Sequence, residues 1–120
     1  MSLLKQKCTP CRGDDTPLDI NEQEKLLNRL NQWTLSNDKI TKKFEFKNFN
    51  EALDFTNKVA DLAEKEDHHP DMNIHYKEVT VSVWTYAING LLENDFVLAA
   101  KIDKIYQEKV NHLNMLLLFN

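Results

Sequence analysis

The chain has 120 residues, of which 42% are hydrophobic and 28% are charged, as expected for one compact domain with its own core. Its formal charge of -4 argues against direct binding of nucleic acid, because affinity for a phosphate backbone comes from clustered Lys and Arg. No stretch reaches the roughly 20 apolar residues that cross a bilayer and no apolar leader is visible, so we expect a cytoplasmic protein without a membrane partner.

The two cysteines, Cys8 and Cys11, form a C-x-x-C spacing in a polar N-terminal stretch. This spacing suits either a redox pair or half of a tetrahedral metal site. A redox site would need a preceding strand and a helix opening at the first cysteine, and a metal site would need two further ligands from elsewhere. We therefore expect residues 1–18 to be a flexible segment and residues 19–120 to form the domain, with metal binding and redox chemistry as alternatives.

The first half of the domain has the pattern of a helix, a hairpin and a second helix. Asn21 can cap a helix over 21–32, which places acids in the first turn and leucines on one face. The runs 33–35 and 40–46 flank a polar stretch that contains turn formers, which predicts a β-hairpin. Apolar residues then recur at spacings of three and four over 50–65, which predicts the second helix.

The second half predicts two more strands and a final helix. Pro70 disfavours helical geometry in the residue before it, and period-two alternation follows at 74–76 and over 79–85. Asn89-Gly90 then breaks the strand, and a last helix begins near Glu93.

The order α-β-β-α-β-β-α predicts a single α+β domain, a four-stranded antiparallel sheet with helices packed on one face. The other face is then open. If the strand over 79–85 lies at a sheet edge, it could pair with the same strand of another chain, which predicts a homodimer or homotetramer. The apolar tail over 113–119 is expected to extend the last helix into a packed groove or a subunit contact.

Three of the four histidines and four carboxylates lie within residues 64–76. Imidazole titrates near neutrality and adjacent carboxylates can orient it, so this crowding indicates acid/base chemistry. A solvated helix end, with histidines near the negative end of the helix dipole, would give the same composition. A metal site is a third interpretation, but His68 and His69 are consecutive and point in different directions, and no H-x-x-x-H pair is present. We expect His75 to lie on the surface, because strand side chains alternate.

Several motifs, taken together, resemble one known family. They are the run E-K-x-D-H-H-P ending at Pro70, the tyrosine six positions later, the strand V-T-V-S-V-W-T, and G-L-x-E-x-D opening the last helix. Over roughly residues 20–108 the chain resembles the pterin-4a-carbinolamine dehydratases, also known as dimerization cofactors of a homeodomain transcription factor. The resemblance implies a hydro-lyase that converts 4a-hydroxytetrahydropterin into quinonoid dihydropterin, recycling the pterin of aromatic amino acid hydroxylation without a metal or organic cofactor.

The resemblance also assigns residues to the site. Two of the family's three catalytic histidines correspond to His68 and His69, and Tyr86 stands at the third position, expected on the strand that follows. A phenol, with a reference pKa near 10 against about 6.5 for histidine, is a poor proton shuttle at neutral pH. The implied substrate-binding or supporting residues are, in chain order, Glu64, Pro70, Tyr76, Thr85 and Asp95.

The sequence leaves some alternatives open. Tyr86 favours a non-enzymatic interaction module on the same fold, and no residue identifies the pterin side chain, so action on another pterin, as in molybdopterin metabolism, is a further alternative. Which histidine is the acid is also open. Leu92 stands where the family usually has Ser or Thr, so the last helix lacks a cap worth roughly 0.5 to 2 kcal/mol, unless Asn89 or the Gly90 backbone replaces it.

Overall fold

The helices and strands follow one another in the predicted order. A computed structural model describes the backbone of residues 2–6 and 15–119, and side chains as far as residue 112. The α+β domain is confirmed, with order α-β-β-α-β-β-α; Cys8 and Cys11 lie outside the described residues. The elements are α1 (Ile20–Leu27), β1 (Thr34–Ser36), β2 (Lys39–Glu45), α2 (Phe49–Glu66), β3 (Asp71–His75), β4 (Glu78–Val83) and α3 (Glu93–Phe119), with 3-10 turns at Leu3–Lys5 and Tyr86–Ile88.

Local hydrogen bonds set the bounds of α1, which differ from the prediction. Asp19, not Asn21, caps the helix: its carboxylate accepts the N–H of Glu22 at 2.8 Å, and the Glu22 carboxylate accepts the N–H of Asp19. This reciprocal pair is a capping box. The helix ends at Leu27 rather than near residue 32, because the next backbone bonds step to a three-residue spacing and Gln32 takes a φ of 63°.

The four strands form one antiparallel sheet in the order β1-β2-β4-β3. The predicted hairpin turn is formed by Asn37 and Asp38, both with positive φ, a conformation that these two residue types tolerate. β4 lies between β2 and β3 and uses its backbone hydrogen bonds on both sides. The expectation that the strand over 79–85 could be an edge strand is therefore wrong, and the sheet edges are β1 and β3.

The helices cover one face of the sheet, because alternate strand residues point to the same side. On β2 and β4 the buried side chains include Ile40, Phe44, Val79, Val81 and Val83, and α2 and α3 pack on them with Ala52, Phe55, Val59, Phe96, Leu98 and Ile102. The other face carries polar side chains such as Thr41, Lys43, Thr80 and Ser82. The face of the sheet that the helices do not cover is therefore an open, polar surface.

Parts of the segment 1–18 contact the domain in the structure. Leu3 is 4% exposed and packs in the core near α3. The N–H of Leu18 donates to the carbonyl of Leu91 at 2.9 Å, and a Cβ added to Gly90 would lie 3.1 Å from Pro17 Cβ. Glycine at position 90 thus permits a close approach of these two segments, and the domain boundary at residue 18 stays a prediction.

The long α3 extends through the predicted tail, with its backbone helical to Phe119. Within the described residues, no helix combines the length and the apolar character that a membrane span requires.

Candidate active site

Four chain segments meet at one end of the sheet: the end of α2, the start of β3, the end of β4 and the start of α3. Because β3 and β4 are antiparallel, Asp71 at the start of β3 pairs with Ser82 near the end of β4. Beyond β4, Thr85 and Gly90 form an isolated bridge, which folds the chain back toward α3. The histidines that follow α2 and the acid that begins α3 are thereby brought together.

α2 ends in a turn that directs His68 toward α3. Asp67 adopts the left-handed conformation (φ 51°, ψ 43°), the N–H of His68 donates to the Ala63 carbonyl at 3.1 Å, and the Asp67 N–H donates to the Glu64 carbonyl at 3.4 Å. These two bonds define a Schellman motif, in which glycine is the usual left-handed residue. Pro70 then begins the extended path into β3.

Asp95 is the buried centre of the site. Its side chain is fully buried, and its Oδ1 lies 2.6 Å from His68 Nε2. Its Oδ2 accepts the Thr85 hydroxyl and the Leu92 N–H, both at 2.8 Å. The last bond satisfies a free N–H at the start of α3, as one half of a capping box does. Asp95 therefore supplies the cap that was expected to be missing at Leu92.

The contact with Asp95 fixes which nitrogen of His68 is free. A carboxylate only accepts hydrogen bonds, so Nε2 carries the hydrogen and Nδ1 is left with a lone pair when the imidazole is neutral. The His68 side chain is 12% exposed, so little of it is open to water. A neutral imidazole held in one tautomer can act as a general base through Nδ1.

His69 has a different environment from its neighbour. Its Nε2 lies 3.2 Å from Glu64 Oε1, with the two side chains 52% and 81% exposed. Such an open pair is weakly held, because water competes for both groups. His69 is therefore open to solvent and loosely held, whereas His68 is fixed by a buried acid.

Tyr86 lies beyond the end of β4, in the 3-10 turn Tyr86–Ile88, so its expected place on the strand is wrong. The turn brings the phenol back to β3, where its hydroxyl donates to Asp71 Oδ1 at 2.7 Å. This hydrogen bond raises the pKa of Tyr86 above its ordinary value, which keeps the phenol protonated. The ring packs against Trp84, with centroids 4.5 Å apart.

Tyr76 is not brought to the other predicted site residues. It forms the turn after β3 with a φ of 53°, and its side chain is 63% exposed beside Lys77. β3 has five residues, so this turn lies about 16 Å from the histidine end of the strand. His75, the last residue of β3, is also exposed and lies at that distant end.

Comparison with known proteins decides the family. The sequence model of the family Pterin 4 alpha carbinolamine dehydratase matches residues 16–105. The chain belongs to this family. Similar proteins include a putative pterin-4-alpha-carbinolamine dehydratase of Rickettsia canadensis, 50% identical over 84% of this chain and 94% of the relative. Another, from Nitrosomonas europaea, is 45% identical over 88% of this chain and 94% of the relative.

The crystal structure of a transcriptional coactivator/pterin dehydratase from Brucella melitensis has the same fold as this dehydratase family member. The two are 34% identical and superpose with a TM-score of 0.73, over 76% of this chain and 99% of the other. The predicted enzyme class, a hydro-lyase, is confirmed at the level of the family. All eight site residues that the sequence singled out lie within the matched range of residues 16–105.

A shallow cavity of about 630 Å³ lies on the outer face of the sheet, between β3 and β4; its lining includes Pro70, Asp71 and Ser82 but neither His68 nor His69. This volume lies within the range of small-molecule sites. A larger cavity of about 780 Å³ lies elsewhere, between β2, α3 and the N-terminal turn, and holds none of the predicted site residues. Over residues 2–6 and 15–112, no three His, Cys, Asp or Glu side chains are grouped as metal ligands would be.

Sequence reasoning missed two partners at this site. Asp71 directly follows the H-H-P run, and only the pairing of β3 with β4 places its carboxylate beside the Tyr86 hydroxyl. Glu66, in the variable position of E-K-x-D-H-H-P, forms a largely buried ion pair with Lys101 of α3. The predicted helix ended at residue 65 and the predicted strand began at residue 74, so neither residue was assigned to an element, and their partners depend on how the elements pack.

Proposed function

We propose that this dehydratase family member removes water from 4a-hydroxytetrahydropterin to give quinonoid dihydropterin, with His68 and His69 as its proton-transfer groups. The observation that carries the proposal is the contact between His68 and the fully buried Asp95. A buried carboxylate that holds one imidazole nitrogen orients the ring and selects its tautomer, which is a recurrent device of acid/base catalysis.

The reaction requires one proton to be given and one to be taken. The C4a–O bond breaks as the departing hydroxyl accepts a proton and leaves as water. The ring nitrogen N5 gives up its proton, and the electron pair of the N5–H bond forms the C4a–N5 double bond. No electron is transferred to or from the pterin, so an acid and a base are sufficient, and imidazoles suit both tasks near neutral pH.

The different environments of the two histidines support different roles. His68 presents Nδ1 as an acceptor while Asp95 holds Nε2–H, so we assign it as the base that takes the N5 proton. His69 is 52% exposed beside the Glu64 carboxylate, so water can return a proton to its ring after each turnover. We therefore assign His69 as the acid that protonates the leaving hydroxyl.

The remaining predicted residues support these two groups in the proposal. Thr85 holds Asp95 through its hydroxyl, Glu64 accompanies His69, and Pro70 fixes the chain between His69 and β3. Tyr86, whose proton is held by Asp71, serves as a wall of the site rather than as a proton carrier. We leave Tyr76 out of the site of a single chain, because it lies at the far end of β3.

The test is the rate of dehydration of 4a-hydroxytetrahydropterin by the unmodified protein and by single histidine variants. His68→Gln and His69→Gln should each lower kcat by about 100- to 10,000-fold, the usual contribution of a positioned acid or base. His75→Gln is the matched control, since His75 is an exposed histidine at the end of β3 that is distant from His68 and His69. Loss of activity in all three variants alike, or in none, would contradict the assignment.

The pH dependence separates the two roles. A base must be unprotonated, so the fall in rate toward low pH should disappear when His68 is replaced. An acid must be protonated, so the fall toward high pH should disappear when His69 is replaced. The reverse pattern, in which His68→Gln loses the high-pH limb, would exchange the roles of the two histidines.

The rival function is a non-enzymatic interaction module, and Tyr86 is the observation that favours it. The phenol stands at the third histidine position of the family, is 61% exposed and is already engaged by Asp71. If the natural protein does not raise the rate of dehydration above the uncatalysed rate, and the Tyr86→His variant does, the rival function is favoured for the natural protein.

We also propose that the protein recycles the pterin of an aromatic amino acid hydroxylase and acts as a homo-oligomer. The open strand edges, β1 and β3, could pair with a second copy, whereas β4 could not. Sedimentation at micromolar concentration tests the assembly, and a monomer would count against it. In a hydroxylation assay with limiting pterin and a dihydropterin reductase, adding the protein should raise the number of turnovers; no increase would contradict the recycling role.

A further inference from the structure

We propose that Glu66 and Lys101 form a positioning pair that sets the distance between His68 and Asp95. The Lys101 amine donates a hydrogen bond to Glu66 Oε1, and this ion pair joins the end of α2 to α3. The kinetic part of the inference rests on the proposed dehydration, whereas its structural part can be tested without any substrate.

The pair lies next to the site but does not touch it. Glu66 is the last residue of α2, two positions before His68, and the Schellman turn begins there. Lys101 is six positions after Asp95 on α3, about 9 Å along the helix axis. Each member is thus tied through a short, rigid stretch of backbone to one half of the contact between His68 and Asp95.

Burial makes the pair a stiff link. The side chains of Glu66 and Lys101 are only 7% and 16% exposed, so water cannot readily replace either partner. Removing one partner of such a pair leaves the other charge in a poorly solvated place, and the structure relaxes to hydrate it. A relaxation that would hydrate the remaining charge is a separation of the end of α2 from α3, and this movement would carry His68 away from Asp95.

A second ion pair between the same helices provides a matched comparison. Lys109 of α3 donates to Asp54 Oδ2 at 2.7 Å, and this bond lowers the pKa of Asp54. Asp54 is 52% exposed and lies 12 positions before Glu66, about 18 Å farther along α2. The two pairs tie the same helices together, but only the pair of Glu66 and Lys101 lies beside the histidines.

This arrangement predicts an effect on kcat rather than on KM. Contact between His68 and Asp95 matters when the proton moves, so a displaced His68 should slow the chemical step while substrate still binds. A displacement of about 1 Å can cost 100-fold in rate. A pair that served stability alone would leave kcat unchanged at temperatures where the variant is folded.

The kinetic experiment compares four variants with the natural protein. Lys101→Met and Glu66→Gln should lower kcat by about 10- to 100-fold with KM within about twofold, because the ends of the helices separate. Lys101→Arg, which keeps the charge and a donor, should recover most of the rate. Lys109→Met should leave kcat unchanged. Equal kcat in Lys101→Met and Lys109→Met would overturn the inference.

A magnetic resonance measurement reads the geometry directly. The proton on His68 Nε2 should give a downfield signal, assigned by its absence in His68→Gln. The signal should shift or broaden in Lys101→Met and stay in place in Lys109→Met; a signal unchanged in both would overturn the positioning role. If the natural protein does not dehydrate the pterin, this measurement still decides the inference.

A variant with two apolar replacements shows whether the effect of Lys101→Met comes from breaking the ion pair or from the changed shape of the side chain. Glu66→Met combined with Lys101→Met removes both charges together, a change that buried pairs often tolerate. The double variant should fold even where Lys101→Met does not, and its His68 signal should lie closer to that of the natural protein than the single variant's signal does. A double variant displaced as far as the single one would contradict a pairwise link.

Discussion

Replacement of Asp95 by Asn probes the centre of the site with a minimal change in shape. Asp95 accepts three hydrogen bonds, two on Oδ2 and one on Oδ1. An asparagine has one acceptor oxygen and one NH2 group, so it can keep the bonds from Thr85 and Leu92 only by turning its NH2 toward His68. His68 Nε2 would then have to accept, and the hydrogen would move to Nδ1.

The expected rate loss follows from that change of tautomer. With its hydrogen on Nδ1, His68 could not take the N5 proton, so kcat should fall by about 100- to 10,000-fold, the range for a lost proton-transfer group. The free energy of unfolding should fall by only about 1 to 3 kcal/mol, because the charge-assisted hydrogen bonds weaken while the shape of the side chain is kept. The rate of pterin dehydration measures the effect on kcat. Unfolding in urea, followed by the fluorescence of Trp33 and Trp84, measures the effect on stability.

The matched control is Asp103→Asn, which changes a partly buried carboxylate (21% exposed) about 12 Å farther along α3 than Asp95. Asp103 accepts from Lys42 Nζ at 2.8 Å and from Trp33 Nε1 at 2.9 Å, and burial raises its pKa. This variant should also lose stability but keep the natural kcat. An Asp95→Asn protein that is folded and turns over at the natural rate would refute the role given to the contact between Asp95 and His68.

Further variants test the local geometry of the site. Tyr86→His should raise kcat, since an imidazole exchanges protons at neutral pH where the phenol does not; an unchanged or lower kcat would argue against a catalytic use of that position. Asp71→Asn should lower the pKa of Tyr86 toward its ordinary value in an ultraviolet titration. In the natural protein, the stability that the bond between Tyr86 and Asp71 contributes is present below the pKa of a free tyrosine, about 10, and should be lost as pH rises through the raised pKa of Tyr86. Asp67→Gly should raise the free energy of unfolding by up to about 1 kcal/mol, because glycine adopts positive φ without a steric cost; a clear loss would show that the Asp67 side chain holds the turn. Gly90→Ala should destabilise the protein by about 1 to 3 kcal/mol, because the added methyl would meet Pro17; an unchanged midpoint in urea would show that the two segments separate at little cost.

Sequence periodicity predicted the type and order of the elements, because these depend on nearby residues, but it placed the third strand at 74–76, whereas β3 runs from Asp71 to His75. The spacing of apolar residues placed α2 within one residue of its observed bounds at each end, and Pro70 marked the passage from helix to strand. The position of β4 inside the sheet could not be predicted in this way. Strand order depends on which hairpin packs beside which, and both hairpins have the same alternating pattern.

The site was predicted less fully than the fold, for a related reason. His68, His69 and Asp95 were placed by motifs that resemble a family, and those motifs do not say which atoms meet. The partnership of Tyr86 with Asp71 and that of Glu66 with Lys101 each join elements distant in sequence, so neither follows from spacing along the chain. Leu92 looked uncapped because a leucine side chain cannot accept a hydrogen bond, but the Asp95 carboxylate three residues later accepts its N–H, and this short spacing is one that sequence can reveal.

The most direct test of the proposed activity is a time course of 4a-hydroxytetrahydropterin dehydration with the protein at about one hundredth of the substrate concentration. The proposed function predicts many turnovers per site and a rate that rises in proportion to protein concentration. A rate equal to the uncatalysed dehydration at every protein concentration would contradict it.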